Sequence, residues 1–271
     1  VRLNDYELEA RREIEKWQRG DGSILSQALN WAMKPMDWVV DRVVPVEIID
    51  RASEAVSEFL AFLNDASGWT YESDDLLQEA RRAGADVERL EDLREHPLET
   101  LDILARKHFT QNAILAAVEG GGTGLGGAAL IIADIPLLFT INFRLIQQIG
   151  GSYGFPMRGP EYRPLVLSIY NVAASGSRDA KSDALREISV AAAAFAHDQA
   201  YKGRVKGTFR EQNRHIPREI AKNLLGRKLG QAIPIAGAAV GAGINYWFTN
   251  ETAHAAYMLF RGLYLERKER L

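Results

Sequence analysis

The reading of this chain turns on residues 120–143, GGGTGLGGAALIIADIPLLFTINF, and on a second stretch of the same character, residues 229–250, LGQAIPIAGAAVGAGINYWFTN. Asp134 is the only charge in the first and the second has none. Spanning a bilayer takes about 20 apolar residues, so both are long enough. Both are nevertheless diluted with glycine, alanine and polar residues that an anchor does not need, so they suit a buried core or a membrane surface equally well. A glycine costs a helix interior about 1 kcal/mol relative to alanine, and the cluster therefore needs a reason. The pairs Gly120 and Gly124, Gly122 and Gly126, and Gly237 and Gly241 stand four apart, which clears one face of a helix for close approach of another backbone; Gly127 extends the first set. We expect the two runs to pack on each other at the centre of a bundle.

A nucleotide loop is the competing explanation. Gly122, Gly124 and Gly127 have the spacing of a dinucleotide-binding turn, but that turn must follow a strand, and the residues before the cluster, 112–118, read as helix. No Lys-Ser or Lys-Thr pair completes a phosphate loop either. No nucleotide is expected.

Outside the runs, apolar periodicity points to helices nearly everywhere and to no strand. One helix starts at an Asn4 or Asp5 cap, carries Tyr6, Ala10, Ile14 and Trp17 on a stripe and stops at Gly20. Prolines divide the next stretch into helices over 25–33, 36–44 and 46–66, with more at 74–83, 86–94 and 98–118. Residues 152–164 read as a loop and 175–182 as a break. Asn250 reads as the cap of a C-terminal helix with basic residues at its negative end. The expectation is all-α: a single helical bundle with two Gly-rich apolar central segments, an acidic region over 1–95 packed with a core over 96–271.

Charge is polarised along the chain. Residues 1–100 hold 23 acidic against 12 basic residues, whereas residues 201–228 hold nine basic against two acidic. The basic set includes Arg214, Arg218, Lys222, Arg227 and Lys228, directly before the second apolar run. A basic helix abutting an apolar segment suits an anionic membrane surface, where each Lys or Arg contributes about 1 kcal/mol; packing against the acidic N-terminal half is the alternative. Without recognised motifs or interleaved aromatics beyond Tyr201 and Phe209, nucleic acid is not expected.

Asp134 is the other candidate. A charged, unpaired carboxylate in apolar surroundings is too costly to persist, so it either meets Arg144, Arg227 or Lys228 or caps a helix opened by Ile135-Pro136. The cap is the reading we favour, and it divides the first run into two helices meeting at Asp134. Asn245 in the second run reads as a hydrogen-bonded core amide or as a ligand. There is no cysteine, which removes thiolate chemistry and fits a reducing compartment. The five histidines lack metal spacing, His197-Asp198 lacks the further ligands a metal phosphohydrolase needs, and no nucleophile elbow occurs. Catalytic residues are unassigned, and neither metal nor cofactor is expected. The charged start lacks the apolar core of a secretory signal, so the expected location is cytoplasmic.

The string PLETLD at 97–102, Asn112, residues 116–120, the glycine cluster, ADIP at 133–136 and the stretch from Arg144 through Gly150 to Tyr153-Gly154 resemble the EcsC family. IPIAGA at 233–238, with Gly241, Asn245 and a preceding Arg227 or Lys228, is similar to that family's C-terminal signature. The glycine-rich, Asp-Ile-Pro-like pattern also looks like part of YcjF-type membrane-associated proteins. The basic stretch and the Gly-rich segments lead us to expect a module peripheral to the inner membrane, contacting anionic lipid, an apolar ligand or a membrane-protein partner such as a transporter. The resemblance itself implies only a membrane-proximal setting, the family taking its name from a member encoded beside ABC-transporter components. It implies no reaction. The alternative is a soluble helical enzyme or small-ligand binder that uses Asp134 and nearby cations.

Overall fold

A computed structural model describes residues 2–20, 45–63, 73–123, 127–197, 199, 201, 217–218, 220–222, 224–225 and 237–271, without the side chains at 110, 111, 113, 115–123, 127–134 and 237–244. Its elements are α1 (Asp5–Arg19), α2 (Val46–Phe62), α3 (Ser73–Arg82), a 3-10 helix (Leu90–Glu95), α4 (Leu98–Thr123), α5 (Gly127–Ser152), a 3-10 turn (Pro160–Tyr162), α6 (Arg163–Ser175), α7 (Arg178–Ala196) and α8 (Gly237–Arg270). Residues 217–218, 220–222 and 224–225 are also helical. The protein is all-α, and the described residues contain no strand.

Local chemistry accounts for several helix ends. Asn4 accepts from the Glu7 amide at 2.9 Å while Glu7 accepts from the Asn4 amide at 3.0 Å, a reciprocal capping box that satisfies two orphan donors. Gly20 closes α1 in the left-handed region at φ 80°, where a Cβ would be strained. Ser177 caps α7 through its hydroxyl on the Ala180 amide, and Gly176 terminates α6 at φ 63°.

The hydrogen bonds give the helix directions. Asp102 meets Tyr153, and Asn112 donates to Gln148 at 3.0 Å, so α4 and α5 run antiparallel. Residues rise along α8 as they fall along α4, from Arg106 on Tyr257 to the His96 carbonyl on Tyr264. Asn142 of α5 donates to Thr249 of α8 at 3.2 Å, and Phe139 packs on Phe248. These three helices form the centre. Against them lies an aromatic cluster: Phe59 from α2 contacts Phe139, Phe143 and Tyr170, and the buried Tyr170 hydroxyl donates to the Phe139 carbonyl at 2.6 Å. Burying each such ring contributes about 1.5–3 kcal/mol.

Three expectations need correction. α5 runs unbroken through Asp134, with Pro136 inside it, so Asp134 is not a helix cap and the two helices do not meet there. The proline leaves the Ile132 carbonyl without its usual amide donor, a local cost that does not stop the helix. Likewise, α8 is one helix of 34 residues that passes through Asn250, so Asn250 is not a cap. Its capping propensity is a local preference worth about 1 kcal/mol, less than a continuous helix gains by packing against α4 and α5. The helix expected over 86–94 is a 3-10 helix starting at Leu90.

Candidate functional site

The most concentrated polar chemistry is in the interior. Asp102, 1% exposed on α4, accepts from the Tyr6 hydroxyl at 2.8 Å and from the Tyr153 hydroxyl at 2.6 Å. Arg261 of α8 brings Nε to 2.9 Å of the same carboxylate as an ion pair, its N–H not aligned for a hydrogen bond. Its Nη1 donates to Glu13 at 2.5 Å, and its guanidinium lies 4.8 Å from the Tyr257 ring centre. Arg106 donates to the Tyr257 hydroxyl at 2.7 Å. A buried charge survives only when paired and hydrogen-bonded, and this cluster joins α1, α4, α5 and α8 for that reason. A second bond of the kind lies nearby, where fully buried Glu7 accepts from Lys268 Nζ at 2.6 Å.

The electrostatics follow from burial. Burial, and next the Asp102 charge, push the Tyr153 hydroxyl well above its usual range; burial and the Asp102 hydrogen bond push Tyr6 up to about 12. Burial opposes the Arg261 charge, but Asp102 and Glu13 outweigh it and raise its pKa further. The Tyr6 and Tyr153 hydroxyls therefore keep their protons and Arg261 keeps its charge. The cluster fastens helices, and nothing in its geometry presents a nucleophile or base to a substrate.

On the outer side of the α1–α8 contact lies a cleft of about 580 Å³ between α1 and α7, floored by α8 at Gly262 and Leu265. Its rim cations are occupied: Arg11 pairs with Glu269 at 2.6 Å and Arg270 with Glu266 at 3.5 Å. Among the described residues no three His, Asp or Glu side chains are placed to hold a metal.

The opposite end of the bundle has a different character. Apart from His108, only Glu119 and Asp134 are ionisable between Lys107 and Arg144, and α8 has no charge before Glu251. There Ile114 is 54% exposed, Leu137 43% and Tyr246 45%. No helix among the described residues is long and apolar enough to cross a membrane.

The sequence candidates are scattered over these regions. Asn245 is buried on α8, and Arg144 is exposed on α5. Arg218 pairs with Asp50 of α2 at 2.7 Å across an exposed surface, one bond of the kind expected if the basic segment packs on the acidic half. Lys222 is half-buried. The side chains of Asp134, Arg214, Arg227 and Lys228 lie outside the described residues, as do those of Gly120, Gly122, Gly124, Gly126, Gly127, Gly237 and Gly241, so the glycine-face packing is not described. At the ends of the two runs, however, α5 and α8 do touch through Asn142, Thr249, Phe139 and Phe248.

Residues of the family-like string converge in space: Asp102 binds Tyr153, Gly154 accepts from Arg94 at 2.6 Å in a φ of 80°, and a Cβ on Gly150 would lie 2.8 Å from both Met157 and Phe260. The EcsC protein family model matches residues 8–265. The chain belongs to the EcsC family. It is 27% identical to Protein EcsC of Bacillus subtilis over 88% of this chain and 93% of that protein. It is 23% identical to the uncharacterized protein YdbA of the same organism over 92% of this chain and 89% of that protein. No solved structure matches. Sequence reasoning reached Asp102 and Tyr153 only as parts of the EcsC-like string; Arg261, Glu13 and Glu7 carried no signal of their own beyond amphipathic placement on α1 and α8.

Proposed function

We propose that this EcsC protein is a peripheral membrane-binding module that engages anionic lipid with one end of its bundle and works as an accessory to a membrane-protein partner. The observation that carries the reading is the zoning of charge along α4, α5 and α8: ionisable groups crowd one end, and the other, where the helices meet the glycine-rich runs, holds almost none while leaving large apolar side chains in water. A soluble bundle gains by placing charge at such an end; leaving it apolar is what a surface destined for contact needs. With no spanning helix among the described residues, contact is at the interface and shallow. The excess of basic residues at 201–228 supports an anionic surface, since juxtamembrane cations attract acidic headgroups. Flotation of the purified chain on phosphatidylcholine vesicles with and without phosphatidylglycerol tests this. Flotation with the anionic vesicles, weakened by salt, is expected; a chain that stays at the bottom of both gradients refutes it.

A further inference from the structure

Beyond lipid contact, we infer that α1 is a displaceable strap over a helix-binding groove on α4 and α8, and that this groove takes an acidic amphipathic helix of a partner protein. The inference comes from how α1 is held. Its 15 residues bury only Ile14 and Trp17 as large apolar side chains, with Ala10 and Glu7 completing the covered face; α6, with 13 residues, buries eight, none of them charged. Polar bonds make up the difference. Glu7 accepts from Lys268 at 2.6 Å, Arg11 meets Glu269 at 2.6 Å, Glu13 accepts from Arg261 at 2.5 Å and Tyr6 donates to Asp102 at 2.8 Å. Each of the three ion pairs has a partly exposed member, so water and salt compete for it.

Two features let α1 lift without opening the interior. Independently of α1, Arg261 has Asp102 at 2.9 Å and Asp102 has Tyr153 at 2.6 Å, so the buried pair stays paired. The cleft of about 580 Å³ runs along the α7 flank of α1, and the two helices are bridged at the last turn of α1, where Lys181 donates to the Trp17 carbonyl at 2.9 Å and Gln18 donates to Ser182 at 3.4 Å. The half that carries Tyr6, Glu7 and Arg11 can therefore rise while the Trp17 end holds. The face beneath dictates the occupant. Arg261 and Lys268 lie two turns apart on one side of α8, and α1 answers them with Glu7 and Glu13 on either side of Ala10, followed by Ile14 and Trp17. A helix with two acids so spaced and two large apolar side chains reproduces these contacts; a lipid headgroup reproduces only the charges.

A fluorescein-labelled peptide of residues 2–20 is the probe, titrated onto the full chain and followed by anisotropy. In the parent, α1 already fills the groove as an intramolecular competitor, so the peptide should bind weakly. Glu7→Gln with Glu13→Gln in the full chain keeps an acceptor for the Asn4 amide but removes both charges. That should raise the open fraction and tighten peptide binding about tenfold, and adding Lys268→Gln should abolish the gain. Equal affinity for the parent and the double variant overturns the inference, as does a gain that survives Lys268→Gln. Hydrogen exchange in the parent decides if the double variant fails to fold: α1 amides should exchange through a local opening that salt makes easier, while those of α4 and α8 do not respond. Exchange of α1 only with global unfolding overturns the inference. A dimer by light scattering that the peptide dissociates gives the groove to α1 of a second copy and overturns the partner helix. None of these outcomes bears on flotation, because the groove lies at the charged end of α8.

Discussion

Replacing Asp102 with asparagine tests the buried cluster most directly. The substitution keeps the shape and one acceptor but removes the charge that faces Arg261 Nε at 2.9 Å and the hydroxyls of Tyr6 and Tyr153 at 2.8 and 2.6 Å. Breaking a buried pair by neutralising one partner costs about 3–5 kcal/mol, because the remaining charge stays buried. Glu13 still serves Arg261, and the asparagine oxygen still accepts from one tyrosine, so the lower figure, about 3 kcal/mol, is expected. For a chain of this size that lowers Tm by about 6–12 °C, read by far-ultraviolet circular dichroism and checked by urea unfolding. Asp102→Leu combined with Arg261→Met should cost less than the two single changes added together, since removing both charges leaves neither one stranded. A Tm for Asp102→Asn within about 2 °C of the parent, corresponding to under 1 kcal/mol, would refute the view that this cluster fastens α1, α4, α5 and α8.

Tyr153→Phe, which removes a fully buried hydroxyl from a carboxylate, should cost about 1.5–3 kcal/mol, and Tyr6→Phe less, because Tyr6 is only partly buried; parallel urea titrations give the order. Tyr6, Tyr162 and Tyr264 titrate in the folded chain at about 12, against roughly 10 when unfolded. Their contribution to stability is therefore complete below pH 10 and lost as the pH rises from about 10 through about 12, which tyrosinate absorbance recorded alongside unfolding will show. Burial lowers the pKa of His108, so the unfolded state takes the proton first and stability falls as the pH drops below about 6.5; His108→Gln should flatten that part of the pH–stability curve. Gly154→Ala forces a Cβ at φ 80° to within 2.8 Å of the Arg94 backbone nitrogen, and the strain should cost about 1–3 kcal/mol, seen as a lower urea midpoint.

Where a signal was local, the sequence carried it. Asn4 and Glu7 three residues apart, then Gly20, bracket α1 as a capping box and a left-handed stop do. Asp134-Ile135-Pro136 and Asn250-Glu251 carry equally good local start signals, yet both lie inside continuous helices, because packing of the long α5 and α8 against α4 outweighs a cap. The polar cluster was not legible from spacing at all: Tyr6 and Asp102 are 96 residues apart, Glu13 and Arg261 are 248 apart, and no periodicity links them. Lys268 read as a cation suited to a helix end, although its partner is Glu7. Charge zoning was visible in the runs themselves, but that α4, α5 and α8 place their uncharged parts at one end required their directions.

Glu7 and Lys268 stand 261 residues apart in the chain. A ribosome adding about 5–20 residues per second therefore releases α1 on the order of 10–50 s before the last turns of α8. During that interval Glu7 lacks Lys268, whereas Asp102, the partner of Tyr6, is already translated. Lys268 thus cannot enclose Glu7 until α8 is nearly translated, which makes α1 a natural place for a chaperone, or a membrane, to hold on in the meantime.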